Sequence, residues 1–165
     1  MKIGLRSKNE KDEPFLFKLY AGTREEELSV LPWTPSQKDE FMQMQFRAQT
    51  EYYNQIYPDA EYNIILHDGE PAGRLIVARL QNEIRVVDIA IIKDQRGKGT
   101  GSILLRKIME EAEKEGKPVV LHVEHLNRAK NLYAKLGFKA VENLGIYLRM
   151  EWRPKIVLLN SSEVL

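Results

Sequence analysis

Residues 94–102 read DQRGKGTGS and lie between an apolar, β-branched run, Ile84 to Ile92, and a helical pattern that begins at Ile103. Glycines stand at positions 97, 99 and 101, with Asp94, Arg96 and Lys98 among them. A strand that ends in a glycine-rich turn and then starts a helix points several backbone N–H groups into one concavity, where the positive end of the helix dipole adds to them. Such a loop suits a phosphate. It fits neither common nucleotide loop: a Walker A lysine is followed by Ser or Thr, whereas Lys98 is followed by Gly99, and a Rossmann fingerprint needs Gly or Ala where Ser102 stands. A flexible turn with no ligand is the plain alternative, but three glycines would then cost backbone entropy without a packing return.

Outward from this loop the hydrophobic period changes type in order. Asp12-Glu13-Pro14 opens a first helix with Phe15, Leu16, Leu19 and Tyr20 on one face, and Gly22 is expected to stop it. The segment from Gly22 to Trp33 turns from charged to apolar and suggests one short helical turn with Trp33 packed inward. Thr34-Pro35-Ser36 opens a second helix carrying Phe41, Met44, Phe46, Tyr52 and Ile56, which ends before Pro58. Strands follow at Tyr62–Leu66, Gly73–Ala78 and Ile84–Ile92, joined by turns at Asp68-Gly69 and Gln81–Glu83, so an antiparallel meander with a central last strand is expected. After the loop come a helix to Gly116, a strand from Lys117 to Val123, a short helix from Asn127 to Leu136, and a hairpin of Phe138–Val141 with Tyr147–Trp152. The spacing therefore predicts an α/β domain over residues 1–153 and a short C-terminal tail over 154–165.

Composition removes whole classes of chemistry. With 25 Lys and Arg against 24 Asp and Glu, the net charge calls for neither nucleic acid nor membrane. The chain has no cysteine, which excludes disulfides, thiolate metal sites and a cysteine nucleophile. The charged N-terminus and the lack of a long apolar stretch lead to the expectation of a cytoplasmic protein.

Two segments together resemble the Gcn5-related N-acetyltransferase (GNAT) family. Arg96-Gly97-Lys98-Gly99-Thr100-Gly101 is similar to its Arg/Gln-x-x-Gly-x-Gly/Ala loop, behind Ile89-Ala90-Ile91 in the place of its Leu-Ala-Val. The later run Asn127-Arg128-Ala129-Lys130-Asn131-Leu132-Tyr133-Ala134-Lys135-Leu136-Gly137-Phe138 resembles its Asn-x-x-Ala-x-x-Leu-Tyr-x-x-x-Gly-Phe segment. The resemblance covers about Tyr62 to Trp152. It implies a twisted, mainly antiparallel mixed sheet splayed between the fourth and fifth strands and flanked by helices, with acetyl-CoA in the gap and no metal.

Carried over residue by residue, the resemblance implies that the backbone from Arg96 through Gly101, Thr100 included, takes the pyrophosphate. Backbone groups of Ile89, Ala90 and Ile91 would pair with the pantetheine arm, and an N–H near Ile89 would meet the thioester carbonyl. Lys98 and Arg128 are phosphate neighbours or solvated charges, and Asn127 caps its helix and also touches the arm. Tyr133 is implied as the acid that protonates the leaving thiolate, against a reading in which it only packs beside Leu132 and Leu136. His122 takes the strand position where some members carry a basic glutamate, against an ordinary strand histidine. Other members place that glutamate where Arg85 stands, so their version cannot operate. Asp88 and Glu124 are held in reserve, and His67 and His125 read as turn or surface residues. Glu25, Glu26, Glu27, Trp33, Tyr52, Tyr53 and Tyr147 fall on the implied acceptor walls. The acceptor itself, a polyamine, amino acid, aminoglycoside or protein amine, stays open. A homodimer is common in the family, and a non-catalytic acetyl-CoA sensor is the alternative function.

Overall fold

The computed structural model describes residues 1–155, so most of the tail expected after Pro154 lies outside the described residues. Seven strands form one sheet in the order β1-β2-β3-β4-β5-β7-β6. They are β1 (Ile3–Ser7), β2 (Glu61–His67), β3 (Glu70–Arg79), β4 (Ile84–Ile91), β5 (Val119–Glu124), β6 (Lys139–Asn143) and β7 (Tyr147–Trp152). The helices are α1 (Glu13–Ser29), α2 (Pro35–Ile56), α3 (Thr100–Glu115) and α4 (Ala129–Lys135). This is the mixed α/β architecture expected. The described chain divides into two compact units, one of Met1–Ile76 with Ile89–Arg96, the other of Val77–Asp88 with Gly97 onward.

In the first unit β1 pairs antiparallel with β2, from Ile3 opposite His67 to Ser7 opposite Asn63. The charged N-terminus hid this strand, because Ile3 and Leu5 give only two apolar positions at strand spacing. Helix α1 runs seven residues past Gly22 to Ser29, not stopping at the glycine. A mid-helix glycine costs only about 1 kcal/mol against alanine, and Arg24 to Leu28 are good helix formers with an Arg24–Glu27 ion pair at 3.2 Å. Trp33 is 38% exposed and stacks edge-on against Phe41 with ring centroids 5.3 Å apart, so it is not packed into the core as expected. The Thr34–Gln37 capping box starts α2 where Thr34-Pro35 predicts. Of the five apolar residues read on its face only Phe46 is buried; it meets the rings of Phe17 and Tyr20 at 5.8 and 5.5 Å over Leu16 and Ile64.

In the second unit β4 and β5 run parallel, with Ile84, Arg85 and Val86 opposite Val119, Val120 and Leu121. Strand β5 then pairs antiparallel with β7 along its whole length, from Val119 opposite Trp152 to Glu124 opposite Tyr147. Helix α3 packs on β5, burying Leu104, Leu105, Ile108 and Ala112, and Gly116 ends it in the left-handed conformation.

The Asn9–Asp12 turn before α1 is tied to β1 by two hydrogen bonds from the Arg6 guanidinium to Asp12, at 2.8 and 2.7 Å. Chiefly through those bonds Asp12 is held down to about 2 from 3.8. Because the folded carboxyl binds its proton less readily than the unfolded one, this stabilisation is full above about pH 4 and is lost as pH falls through about 2. Asp12→Asn should therefore lower stability at neutral pH and flatten the stability profile between pH 4 and 2, read by urea unfolding at stepped pH.

Candidate functional site

Strand β4 outlasts its ladder with β5: it has eight residues, and the parallel pairing covers three. Its last turn of chain, Ile89-Ala90-Ile91, is half-buried and leads through the short 3-10 turn Lys93–Gln95 to the glycine loop. Gly97 and Gly99 have φ of +76° and +80°, and around each the place of a Cβ is open space. The conformation demands glycine there, and it is backbone strain, not lack of space, that excludes a side chain. Gly99 immediately precedes α3 and offers no side chain to cap it, in contrast to Thr34 at the start of α2. The first i→i−4 bond of α3 is Ile103 N–H to Gly99 carbonyl at 3.1 Å, so the N–H groups ahead of it have no carbonyl partner within the helix. At Gly101 a Cβ would lie 3.3 Å from Cδ2 of Leu132 on α4, a tight contact that the leucine side chain would have to yield to.

Neighbouring side chains hold the approach to this loop. The Arg96 Nε–H donates to the Ile91 carbonyl at 2.8 Å, locking the corner where β4 ends. His67, read from sequence as a turn or surface residue, is 6% exposed at the end of β2, with Nδ1 3.0 Å from Gln95 Oε1. Its pairing with β1 and its bond to the loop bury it. Sequence reasoning also passed over Gly73 in β3: a Cβ there would overlap the Ala90 carbonyl oxygen, and the Ile92 N–H donates to the Ala72 carbonyl at 2.8 Å. A glycine inside a strand is the sequence sign of such close backbone approach.

The two residues expected to carry protons have different surroundings. Tyr133, on α4, is 7% exposed against the ring of Phe138, and burial, followed by the charge of Asp88, pushes its phenol up to about 12. It keeps its proton at every physiological pH. His122 is exposed on β5 opposite Arg149, with Nε2 3.3 Å from Arg85 Nη1. Guanidinium donates, so Nε2 accepts and its lone pair is engaged. Partial desolvation of the ring by its strand neighbours, then Arg85, then Arg149 lower its pKa, which favours the neutral ring. Glu83 completes this cluster, with its carboxylate 3.0 Å from Arg85 Nε and 3.6 Å from Arg149.

The remaining candidates scatter. Asn127 Oδ1 accepts from Ala129 N–H at 2.9 Å, as a cap should, although the helix begins two residues later than expected. Lys98 and Arg128 are exposed, Glu124 is half-buried on β5, and His125 is tied to Asn143 at 3.1 Å. Of Glu25, Glu26 and Glu27, Glu25 alone lines the cleft along α1, because successive helical residues point about 100° apart. Tyr52 and Tyr53 meet at 6.1 Å, and Tyr147 is 40% exposed.

The acetyltransferase (GNAT) family model matches residues 23–138. No curated protein sequence is significantly similar to the chain. Among solved structures it is similar to the PaiA N-acetyltransferase of Thermoplasma acidophilum in complex with coenzyme A, at 17% identity and a TM-score of 0.70 over 93% of this chain and 99% of that one. An acetyltransferase of Thermus thermophilus follows with 17% identity and a TM-score of 0.67, over 93% and 97%. A ribosomal-protein-alanine N-acetyltransferase of Escherichia coli has 21% identity and a TM-score of 0.56, over 91% of each chain.

Two glycines of the site are required for different reasons, and their alanine variants should differ. Gly99→Ala should cost about 1 kcal/mol, the strain of a left-handed non-glycine residue. Gly73→Ala must displace backbone of β4 and should cost more, about 3 kcal/mol, measured by urea denaturation of both.

Proposed function

The chain belongs to the GNAT acetyltransferase family, acyl-CoA-dependent N-acyltransferases that draw on acetyl-CoA, and on that footing we propose that it moves an acetyl group to a primary amine by direct attack with both substrates bound. The observation that carries the reading is the left-handed Gly97–Gly99 turn feeding the uncapped start of α3 directly behind β4. Backbone donors from Arg96 through Gly101 suit a pyrophosphate, and the helix dipole favours its charge. Residues Ile89 to Ile91 lie beyond the β5 ladder and offer backbone groups to an extended arm, with Asn127 as a further contact. Acetyl-CoA brings an activated thioester; the protein aligns, excludes water and handles the protons.

Tyr133 is the proton donor of this scheme. Full transfer from a phenol near 12 to a thiol of about 8.5 is uphill by about 5 kcal/mol, so Tyr133 hydrogen-bonds the charge growing on sulfur and passes its proton to the departing sulfur only while the attacking nitrogen, made acidic by C–N bond formation, sheds its own proton to solvent, from which the phenol is restored. His122 has a smaller part than its strand position led one to expect. With its lone pair engaged by Arg85 and two guanidiniums beside it, taking up a proton is unfavourable. The amine instead loses its proton to solvent before it attacks.

Calorimetric titration with acetyl-CoA should give micromolar binding that disappears in Gly99→Glu, whose carboxylate would occupy the anion concavity; absence of binding in the folded parent would overturn the reading. In a thiol-release assay over a panel of amines, Tyr133→Phe should lower kcat about 100-fold with little change in KM for acetyl-CoA. The same assay should show kcat/KM rising tenfold per pH unit up to the amine's own pKa, and His122→Gln should change kcat less than about threefold.

A further inference from the structure

Within the first unit a cleft of about 550 Å³ is walled by α1, the first turns of α2 and the segment from Ile92 to Arg96. That volume suits a small organic molecule. Leu19, Leu28, Met42 and Ile92 give it an apolar lining. Its rim carries four cations, Lys18, Lys38, Lys93 and Arg96, against two carboxylates, Glu25 and Asp94. The Arg96 guanidinium is fixed by its bond to the Ile91 carbonyl. The ammonium groups of Lys18, Lys38 and Lys93 hold no ion pair or hydrogen bond among the described residues, so their charge is not cancelled locally. Ile92, on the wall of the cleft, follows directly on Ile89-Ala90-Ile91, the strand end proposed to meet the thioester arm.

We propose that the acceptor is a primary amine that also carries a carboxylate, on an apolar body of amino-acid size, and that this cleft takes its anionic end. The inference rests on the acetyltransferase reading and narrows it. A carboxylate gains charge-assisted hydrogen bonds from Lys18, Lys38 and Lys93, which with Arg96 outnumber the carboxylates of Glu25 and Asp94. The apolar lining takes the side chain. A polyamine or aminoglycoside, cationic throughout, meets four like charges and is disfavoured.

The test uses the full chain and a matched pair of product mimics, N-acetyl-L-leucine and N-acetyl-L-leucinamide, titrated by calorimetry with and without coenzyme A. Size and shape are shared, and only the carboxylate differs. The acid should bind at least tenfold more tightly than the amide. In the double variant Lys18→Gln, Lys38→Gln, with folding checked by circular dichroism, the acid should lose at least tenfold in affinity, while the amide and acetyl-CoA bind as before. Equal affinity for the pair, no binding of the acid, or tighter binding of spermidine would overturn the proposal. So would a tenfold loss of acetyl-CoA affinity in the double variant, since the lysines would then serve the phosphates of the donor. Failure of the parent to bind acetyl-CoA is a separate result and counts against the acetyltransferase reading itself.

Discussion

Parallel pairing joins Ile84 to Val119, Arg85 to Val120 and Val86 to Leu121, and β4 then continues for five residues without it. Backbone donors and acceptors buried in protein must find partners. A strand that leaves its ladder early therefore either meets solvent or is completed by something else that can pair with it. The half-buried Ile89-Ala90-Ile91 segment is where that choice falls, and it stands one short turn before the glycine loop. An extended substrate arm bearing an anionic end fits both features at once. The remaining local structure serves to hold this stretch in place: the Gly73 approach to Ala90, the Arg96 bond to Ile91, and the His67–Gln95 pair.

Charge divides the chemistry of the chain into two kinds of environment. Tyr133 sits in a nearly closed apolar setting beside the charge of Asp88, and both effects keep its proton on. His122 sits among guanidiniums, and partial desolvation together with Arg85 and Arg149 disfavours its charged form. The two positions thus favour opposite states: the phenol holds its proton, and the imidazole takes one up less readily than a free histidine.

Much of the fold was legible because local chemistry and tertiary structure agree. Thr34-Pro35 with Gln37 starts α2 as a capping box must, Asp68-Gly69 turns β2 into β3, and Gly116 stops α3 in the left-handed conformation. Where local signals were weak the reading failed. Gly22 suggested a stop, yet its modest cost was outweighed by the helix formers after it, and β1 carried too few apolar residues to announce itself. The burial of His67 and the exposure of Met44, Tyr52 and Ile56 went unread because they depend on which face of an element meets the rest of the protein.

The sequence by itself determined the element types, the glycine loop and its place between a buried strand and an amphipathic helix, and the tyrosine on the last helix. These are properties of consecutive residues: period, capping, and the need for positive φ at Gly97 and Gly99. Only the tertiary structure decided that Gly73 must be glycine, that Arg85 occupies the lone pair of His122, and that Glu25 alone of three glutamates joins Lys18 and Lys38 around one cleft. Each of these joins elements that are separate in the chain, and side-chain chemistry acquires its role from what folding brings within hydrogen-bond or Coulomb range.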